Sequence, residues 1–210
     1  MIYAIVGAGG KTGLVKEMAA RFRQEGKSVF VTTTTHMFIE ENTLLTEDAN
    51  LILNTLRKDG YVFAGVPEGS KIKALPADVY CEVCKTADVV LVEADGSKHL
   101  PLKYPNEKEP VIPDNADEIL VVCGLHGLGK AAKDVCHRLE LVKQHLDISD
   151  DTLITPHHVY RLVMEGYVNP LREKYHQKKI TVVPRYYGSP CRGAVAAMLM
   201  REQDPGLSGE

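Results

Sequence analysis

The order of apolar and polar residues near the start of the chain predicts a strand, a turn and a helix. Ile2 to Val6 is a short apolar run that ends at a glycine, which is typical of a strand buried on both faces. Apolar residues then recur with the spacing of one helix face, at Leu14, Val15, Met18, Ala19 and Phe22. Gly26 follows at the position where such a helix would end.

The same two patterns alternate along the rest of the chain. Apolar runs predict strands at residues 28–33, 61–66, 88–93, 118–124, 152–155 and 180–184. Helical spacing predicts helices at residues 48–58, 76–87, 135–145, 157–165, 170–176 and 191–201. Strands that alternate with helices predict an α/β fold with three αβα layers and a mostly parallel sheet.

The length and apolar content of the chain are sufficient for one core. The chain has 210 residues, of which 44% are hydrophobic, and its sequence shows neither an internal repeat nor a low-complexity segment. We therefore expect a single domain over residues 1–203, followed by a flexible tail at residues 204–210.

The predicted turn after the first strand reads GAGGKT, from Gly7 to Thr12. It is a shortened form of the phosphate loop GxxxxGK[ST], with Ile5 in the place of the first glycine. Glycines let the backbone close around an anion, and the amides at a helix N-terminus carry positive partial charge. The alternative interpretation is a tight glycine turn whose lysine is merely solvated.

The loop therefore predicts a nucleotide site in a phosphate-loop NTPase-like domain. The expected nucleotide-binding residues are Gly7, Ala8, Gly9, Gly10, Lys11 and Thr12. We expect the Lys11 side chain to lie at the loop surface and to contact phosphate, and the Thr12 hydroxyl to bind a phosphate-bound Mg²⁺.

Polar residues follow the predicted strands at the ends where ligands collect in parallel sheets. Thr32 to Thr35 and then His36 follow the second strand, and we expect Thr34, Thr35 and His36 to contact substrate or metal-bound water. Threonine also favours strands in its own right, so a plain structural role stays open. The segment GLHGLGK, Gly124 to Lys130, predicts a glycine-rich loop that lines the site.

Two carboxylates follow the apolar strand DVVLVE, where the chain continues as EADGSK. Glu93 and Asp95 can hold Mg²⁺ directly or through water, because hard oxygen ligands suit that ion. A carboxylate in this position is equally placed to act as a general base on a water molecule. We therefore predict Glu93 and Asp95 as catalytic residues and Thr12 with Glu93 as metal ligands, the alternative being a solvent-exposed acidic strand end.

Charge and composition argue against two classes of partner. The net charge is -3 with a sequence pI near 6.2, and no long basic run occurs, so we expect no nucleic-acid partner. The first residues lack the pattern of a secretion signal, and no apolar stretch approaches the ~20 residues of a membrane span. We therefore expect a cytoplasmic protein without a membrane partner.

The cysteines fit a reducing compartment, because the count of 5 is odd and does not form a disulfide framework. Cys81 and Cys84 have the spacing of a redox or metal site, but neither a second such pair nor a nearby histidine pair accompanies them. We interpret both as small core residues on a helix. Packing is also the first interpretation for Cys123 in a strand and for Cys136 and Cys191 in helices.

Five segments together resemble the YqeC family over nearly the whole chain: VGAGGKT, VTTTTHM, EADGSKHLPLKYPNEKEPVIP, GLHGLGK and CHRLE. The long third segment is the most specific, because generic phosphate-loop proteins do not carry it. The family is described as accessory to selenium-dependent molybdenum hydroxylases and as taking part in selenium-cofactor biosynthesis. The resemblance implies a phosphate-loop-like nucleoside-triphosphatase domain that helps to mature a selenium-containing molybdenum enzyme, its expected partner.

The resemblance assigns the phosphate loop, residues 32–36 and the Glu93–Asp95 pair to the site. Further residues fall in family-like stretches without a known role: Lys98, Lys103, Glu107, Glu109, His137 and Arg138. We expect Lys98 and Lys103 to bind a phosphate or carboxylate of a second substrate, the alternative being solvated surface lysines.

Three functions stay open on the sequence: a maturation factor that hydrolyses a nucleotide with Mg²⁺, a small-molecule kinase or ATP-dependent ligase, and a nucleotide-binding module without catalysis. The nucleotide is ATP or GTP. The chain lacks the NKxD tetrapeptide with which guanine-specific proteins of this class usually bind the base, and this absence favours ATP.

Overall fold

The computed structural model describes residues 1–186. The predicted helix at residues 191–201, with Cys191, and the predicted flexible tail at residues 204–210 lie outside the described residues. Within residues 1–186, no helix combines the length and apolar character that crossing a bilayer requires.

The described chain alternates strands and helices. The strands are β1 Ile2–Gly7, β2 Val29–Thr33, β3 His36–Phe38, β4 Thr43–Leu45, β5 Tyr61–Glu68, β6 Lys71–Lys73, β7 Val89–Glu93, β8 Leu102–Lys103, β9 Glu118–Gly124, β10 Cys136–His137 and β11 Lys179–Arg185. The helices are α1 Lys11–Gln24, α2 Ala49–Asp59, α3 Ala77–Cys84, α4 Ala132–Val135, α5 Leu139–Leu146, α6 Pro156–Val163 and α7 Asn169–Lys174. The predicted α/β class with a mostly parallel sheet is confirmed. The three-layer, phosphate-loop NTPase-like arrangement stays a prediction.

Internal contacts divide the chain into two compact units. The first unit comprises residues 1–5, 11–96 and 111–118. The second comprises residues 6–10, residues 97–110 and, from residue 119, the rest of the described chain. The expectation of a single domain over residues 1–203 stays a prediction.

In the first unit, β7 lies between β1 and β2, and β2 continues to β5, all in parallel. The register places Glu93 opposite Ile5 on one side and opposite Thr33 on the other. The carboxyl ends of three neighbouring strands therefore meet at one level. This alignment brings together the polar residues that follow those strands.

The helices of the first unit form where the sequence pattern places them. α1 buries the predicted face, which includes Leu14, Val15 and Phe22. α2 begins after Asp48, whose side chain accepts hydrogen bonds from two backbone amides, and ends at Gly60 in a left-handed conformation. Both helices are thus defined by an apolar face together with local start or stop signals.

Three short strands of the first unit escaped prediction: β3, β4 and β6. β6 runs antiparallel to both β5 and β3, whereas β4 adds to β5 in parallel. Each has three residues. Segments of this length are too short to display an alternating pattern; β4 and β6 pair with β5, and β3 pairs with β6.

In the second unit, the central strand β9 is buried along its whole length and has β11 beside it. The predicted helix over residues 135–145 is confirmed in its second half, where α5 lies, and is wrong in its first half, because α4 ends at Val135 and β10 follows. β10 pairs in parallel with β8, so that His137 lies opposite Lys103. Arg138 then adopts a left-handed φ of 59°, and α5 begins at the next residue.

Two further predictions in the second unit need correction. The strand expected at residues 152–155 is reduced to a single bridge between Leu153 and Ala131. The helices expected at residues 157–165 and 170–176 are α6 and α7, joined by a π-helical turn at Met164–Val168 instead of a loop. Pro170 stands in the first turn of α7, directly after this π-helical turn.

Candidate functional site

The glycine loop of the predicted nucleotide site packs closely against backbone atoms of the second unit. Gly7 has a φ of 86°, and a Cβ atom there would lie 2.2 Å from the Val122 carbonyl oxygen. Gly9 has a φ of 78°, and its Cβ atom would lie 2.5 Å from the Pro101 carbonyl oxygen. The fold therefore requires both glycines for packing alone.

The Ala8 amide is also engaged within the second unit. It donates a hydrogen bond of 2.9 Å to the carbonyl of Val122 in β9. This bond fixes the loop to the strand next to it. Nucleotide binding by Gly7, Ala8, Gly9 and Gly10 stays a prediction, and the Ala8 amide is the least suited of these groups to a ligand because it already has a partner.

Lys11 is the first residue of α1, in the first unit, and it is buried. Only 4% of the residue is exposed, so the expectation that its side chain lies at the loop surface is wrong. Lys11 lies near the acidic strand end, because its charge opposes the rise in the pKa of Glu93 that burial causes. A solvated lysine on a plain glycine turn is thereby excluded.

Glu93 ends β7 and is nearly inaccessible, with 7% of the residue exposed. The Thr12 hydroxyl donates a hydrogen bond of 3.3 Å to its Oε2 atom. Burial raises the pKa of Glu93 above its ordinary value, against the opposing effects of the Lys11 charge and the Thr12 hydrogen bond, and Asp95 raises it further. The alternative of a solvent-exposed acidic strand end is wrong.

Asp95 is fully buried two residues beyond Glu93. The backbone between them is held from both sides within the first unit. The Ala94 amide donates to the Ile5 carbonyl at 2.9 Å, and the Ala94 carbonyl accepts from the Val111 amide at 3.0 Å. These bonds give the two carboxylates fixed positions at the end of β7.

The Thr12 hydroxyl and the Glu93 carboxylate suit a phosphate-bound Mg²⁺. Such an ion takes one or two oxygen ligands from the protein and the rest from phosphates and water. Among the described residues, no cluster of three or more histidine, cysteine or acidic side chains can enclose a metal ion by itself. Thr12 and Glu93, whose oxygen atoms lie 3.3 Å apart, therefore fit an ion that phosphates and water also coordinate.

The threonine hydroxyls serve the strand end itself. Thr33 Oγ1 donates to the Glu93 carbonyl at 2.7 Å and accepts from the Thr35 amide at 2.9 Å. Thr34 Oγ1 donates to the Val111 carbonyl at 2.7 Å. The plain structural role left open for this run therefore has direct support, and substrate binding by Thr34 and Thr35 stays a prediction.

His36 belongs to an exposed polar group in the first unit. Its Nε2 atom lies 2.7 Å from Glu68 Oε2, and Lys73 Nζ lies 3.3 Å from Glu68 Oε1. Hydrogen bonds from His36 and Lys73 lower the pKa of Glu68. Contact between His36 and a substrate stays a prediction.

The second unit contains an ion cluster that the sequence did not reveal. The Lys103 side chain is wholly buried, and its Nζ atom lies 2.7 Å from Glu109 Oε2. Arg138 donates to the same carboxylate through Nη2 at 2.8 Å and Nε at 3.2 Å. The alternative of a solvated surface lysine is wrong for Lys103, whereas Lys98 is exposed as that alternative supposed.

The charges in this cluster shift two pKa values. Burial by itself would raise the pKa of Glu109, but the hydrogen bonds and charges of Lys103 and Arg138 prevail and lower it. Burial lowers the pKa of His137, and the nearby charges of Lys103, Arg138 and Lys98 lower it further. The imidazole of His137 therefore lies in a positive potential.

The segment GLHGLGK forms a turn in the second unit. β9 ends at Gly124, whose amide donates to the Pro101 carbonyl at 3.0 Å, and a 3₁₀ turn follows at Leu125–Gly127. Burial and the charge of Lys130 lower the pKa of His126. The role of this turn in lining a site stays a prediction.

The described cysteines differ in burial. Cys123 and Cys136 are buried as expected, although Cys136 lies in β10 and not in a helix. Cys81 is exposed, so the interpretation as a core residue is wrong for it. Burial raises the pKa of Cys84 to about 11, which keeps it protonated and unreactive at neutral pH.

Comparison with known proteins identifies the family. A family model described as YqeC protein matches residues 3–140. The protein named "Uncharacterized protein YqeC" from Escherichia coli (strain K12) is 34% identical over 149 residues, which cover 65% of this chain and 57% of the relative. The chain thus matches little more than half the length of that relative. The family match extends over most of this chain, and the protein belongs to the YqeC family.

Proposed function

We propose that the chain binds a nucleoside triphosphate, ATP, together with Mg²⁺ at the start of α1. The observation that carries this proposal is a buried lysine, Lys11, at the first position of a helix, with a Thr12–Glu93 oxygen pair beside it at 3.3 Å. Buried charged groups are paired within the protein or bind a ligand or metal ion, and they concentrate at functional sites. The N-terminus of a helix supplies backbone amides that bind phosphate groups.

The proposed roles follow from the charge and position of each group. Lys11 neutralises phosphate charge, and the amides at the start of α1 donate hydrogen bonds to phosphate oxygens. Thr12 and Glu93 would hold Mg²⁺, which neutralises the charge on the phosphates when it is bound. Binding of the ion favours the ionised form of Glu93, whose pKa is otherwise raised by burial.

Asp95 is the residue that we propose to orient the attacking water. It is buried near Glu93, which its charge affects, and the backbone hydrogen bonds of Ala94 fix its position. A carboxylate that accepts a proton from water or aligns it contributes typically 10²- to 10⁴-fold to a rate. In this proposal Glu93 holds the metal ion and Asp95 orients the attacking water.

Family membership supports the biological role in this proposal. We propose that the nucleotide reaction serves the maturation of a selenium-dependent molybdenum hydroxylase or its selenium cofactor, in keeping with the description of the YqeC family. The name of the matched relative assigns no activity, so this role stands on the family description together with the site.

Steady-state hydrolysis of ATP by the purified protein tests the proposal. We expect Mg²⁺-dependent turnover that a candidate selenium-dependent molybdenum hydroxylase stimulates. Asp95→Asn should lower the turnover rate with little change in ATP affinity, and Glu93→Gln should raise the Mg²⁺ concentration required. Wild-type rates for both variants across a Mg²⁺ titration would assign the acidic pair a structural role.

A competition experiment at fixed Mg²⁺ tests the choice of nucleotide. We expect ATP to bind more tightly than GTP, since the chain contains no NKxD tetrapeptide to bind guanine. A clear preference for GTP would overturn this choice, and equal affinities would show that the protein binds phosphates without selecting the base.

A further inference from the structure

The second unit contains a cluster of cations that packing alone does not explain. We define the basic cluster as Lys98, Lys103, His137 and Arg138, of which Lys103 and Arg138 form ion pairs with Glu109. β8 and β10 create it, because their parallel pairing sets His137 opposite Lys103. From this cluster we infer that the second unit binds a phosphate group through Lys98, His137 and Arg138, at a site that does not depend on the proposed nucleotide site.

The buried part of the basic cluster fixes the position of Arg138. Lys103 has a wholly buried side chain and an ion pair of 2.7 Å with Glu109, so it is too enclosed to meet a ligand. Arg138 uses Nε and Nη2 on the same carboxylate. One carboxylate thus serves two cations, and it holds the Arg138 guanidinium plane in a fixed orientation.

The outer part of the basic cluster has unused hydrogen-bonding capacity. Within residues 1–186, the Nη1 atom of Arg138, the Nζ atom of Lys98 and both ring nitrogens of His137 have no hydrogen-bond or ion-pair partner. Arg138 is 30% exposed in its side chain, and Lys98 is exposed. These donors are accessible to a ligand, unlike Lys103.

His137 and Arg138 are consecutive residues, and the charge of Lys98 acts on the His137 ring. The charges of Lys103, Arg138 and Lys98 each reach the His137 ring, where they outweigh the opposing effect of Glu109. Lys98 and Arg138 both have left-handed backbone conformations, with φ of 48° and 59°. Such backbone conformations are uncommon for residues other than glycine, and they persist where the surrounding structure maintains them.

Charge and geometry favour phosphate as the ligand group. A phosphate monoester carries about 1.5 to 2 negative charges at neutral pH, which suits two cations better than the single charge of a carboxylate. The planar guanidinium of Arg138 matches phosphate oxygens, and a neutral His137 can donate one hydrogen bond to them. The ligand is free phosphate or a small molecule with a phosphate group.

Histidine NMR on the whole chain tests the inference directly. The imidazole signal of His137, identified by its loss in His137→Gln, is followed during titration with inorganic phosphate, glycerol 3-phosphate and acetate at constant ionic strength. We expect saturable shifts with both phosphates and about tenfold weaker binding of acetate. Tighter binding of glycerol 3-phosphate would identify an organic phosphate ester, and tighter inorganic phosphate would identify the free ion. Equal, non-saturating shifts with all three anions would overturn the inference.

Substitutions locate the bound phosphate. Asparagine tolerates a left-handed φ, so Lys98→Asn and Arg138→Asn remove the cation with little backbone strain. Each should weaken phosphate binding about tenfold or more. Lys108→Asn, on the same loop and exposed, should leave it unchanged. Lys98 has no described ion pair, so Lys98→Asn keeps the test valid if Arg138→Asn fails to fold.

One variant separates this site from the proposed nucleotide site. Lys11→Met removes the charge at the start of α1 and should leave phosphate binding at His137 intact. If Lys11→Met abolished the His137 shift while Arg138→Asn preserved it, the phosphate would be bound at the glycine loop and the inference would be wrong. Failure of ATP binding alone would not alter the result expected here.

Discussion

Glu93 in the first unit and Glu109 in the second are both largely buried glutamates, yet their pKa values move in opposite directions. Glu109 makes ion pairs of 2.7 and 2.8 Å with Lys103 and Arg138, and its pKa is lowered. Glu93 has a hydroxyl at 3.3 Å and a lysine whose charge does not offset burial, and its pKa is raised. Direct ion pairs thus stabilise the ionised form of Glu109, whereas burial still disfavours the ionised form of Glu93.

The opposite pKa shifts of Glu93 and Glu109 indicate different roles for the two carboxylates. A carboxylate fully paired within the protein contributes to folding and has little left for a ligand. A carboxylate that is buried without enough compensation is destabilising by itself and suited to bind a cation. The comparison predicts that equal substitutions at Glu93 and Glu109 change stability with opposite sign.

The largest effect is expected from the buried cation of the second unit. Lys103→Met keeps the volume of the side chain but leaves Glu109 with Arg138 as its described ion-pair partner, so we expect the free energy of unfolding to fall by about 3 kcal/mol. Urea unfolding provides the measurement. Lys133→Met removes an exposed ion pair with Asp151 and should lower the free energy of unfolding far less, because solvent screens exposed ion pairs. Equal losses of unfolding free energy in the two variants would show that burial of the Lys103 ion pair adds nothing to stability.

Glu109→Gln should lower the free energy of unfolding at neutral pH by about 2 kcal/mol, because it removes charge-assisted hydrogen bonds. The pKa of Glu109 is lowered in the folded state, so its stabilisation is complete above the ordinary value of 4.5 and is lost as pH falls through the folded pKa. The difference between wild type and variant should therefore shrink in acid. Glu107→Gln, on the same loop and exposed, is the matched control and should have no such effect.

Glu93→Gln should act in the opposite direction and raise the free energy of unfolding at about pH 8 by on the order of 1 kcal/mol. The pKa of Glu93 is raised in the folded state, so its ionisation opposes folding at pH above that pKa and has no effect below 4.5. The gain in stability should therefore disappear in acid. A loss of stability at about pH 8 would mean that Lys11 and Thr12 compensate the charge fully.

The sequence predicted the parts of the fold that depend on long, regular patterns. β1, β7, β9 and α1 each contain five or more residues with a clear apolar pattern, and their positions agree with expectation. The clustering of Lys11, Thr12 and Glu93 was equally predictable, since strand ends meet in a parallel sheet. These features depend on periodicity and on one rule of topology.

Other features depend on contacts that the sequence does not display. Lys11 is buried and its charge acts on Glu93, more than eighty positions away, whereas a lysine after glycines looks solvated by itself. β10 replaces the middle of a predicted helix because β8 pairs with it. That pairing also creates the Lys103–Glu109–Arg138 cluster, whose members are scattered among surface-like residues in the sequence.

Calorimetric titration of ATP with Mg²⁺ into wild type, Lys11→Met and Lys16→Met tests the central claim most directly. Lys16 lies on the same helix, is exposed and pairs with Glu40, so its loss is the matched control. We predict that Lys11→Met folds and weakens ATP binding roughly 10- to 100-fold, because a charge-assisted phosphate contact is lost, and that Lys16→Met binds as wild type does. Equal affinities for all three proteins, with Lys11→Met folded, would contradict the claim that Lys11 binds a nucleotide phosphate.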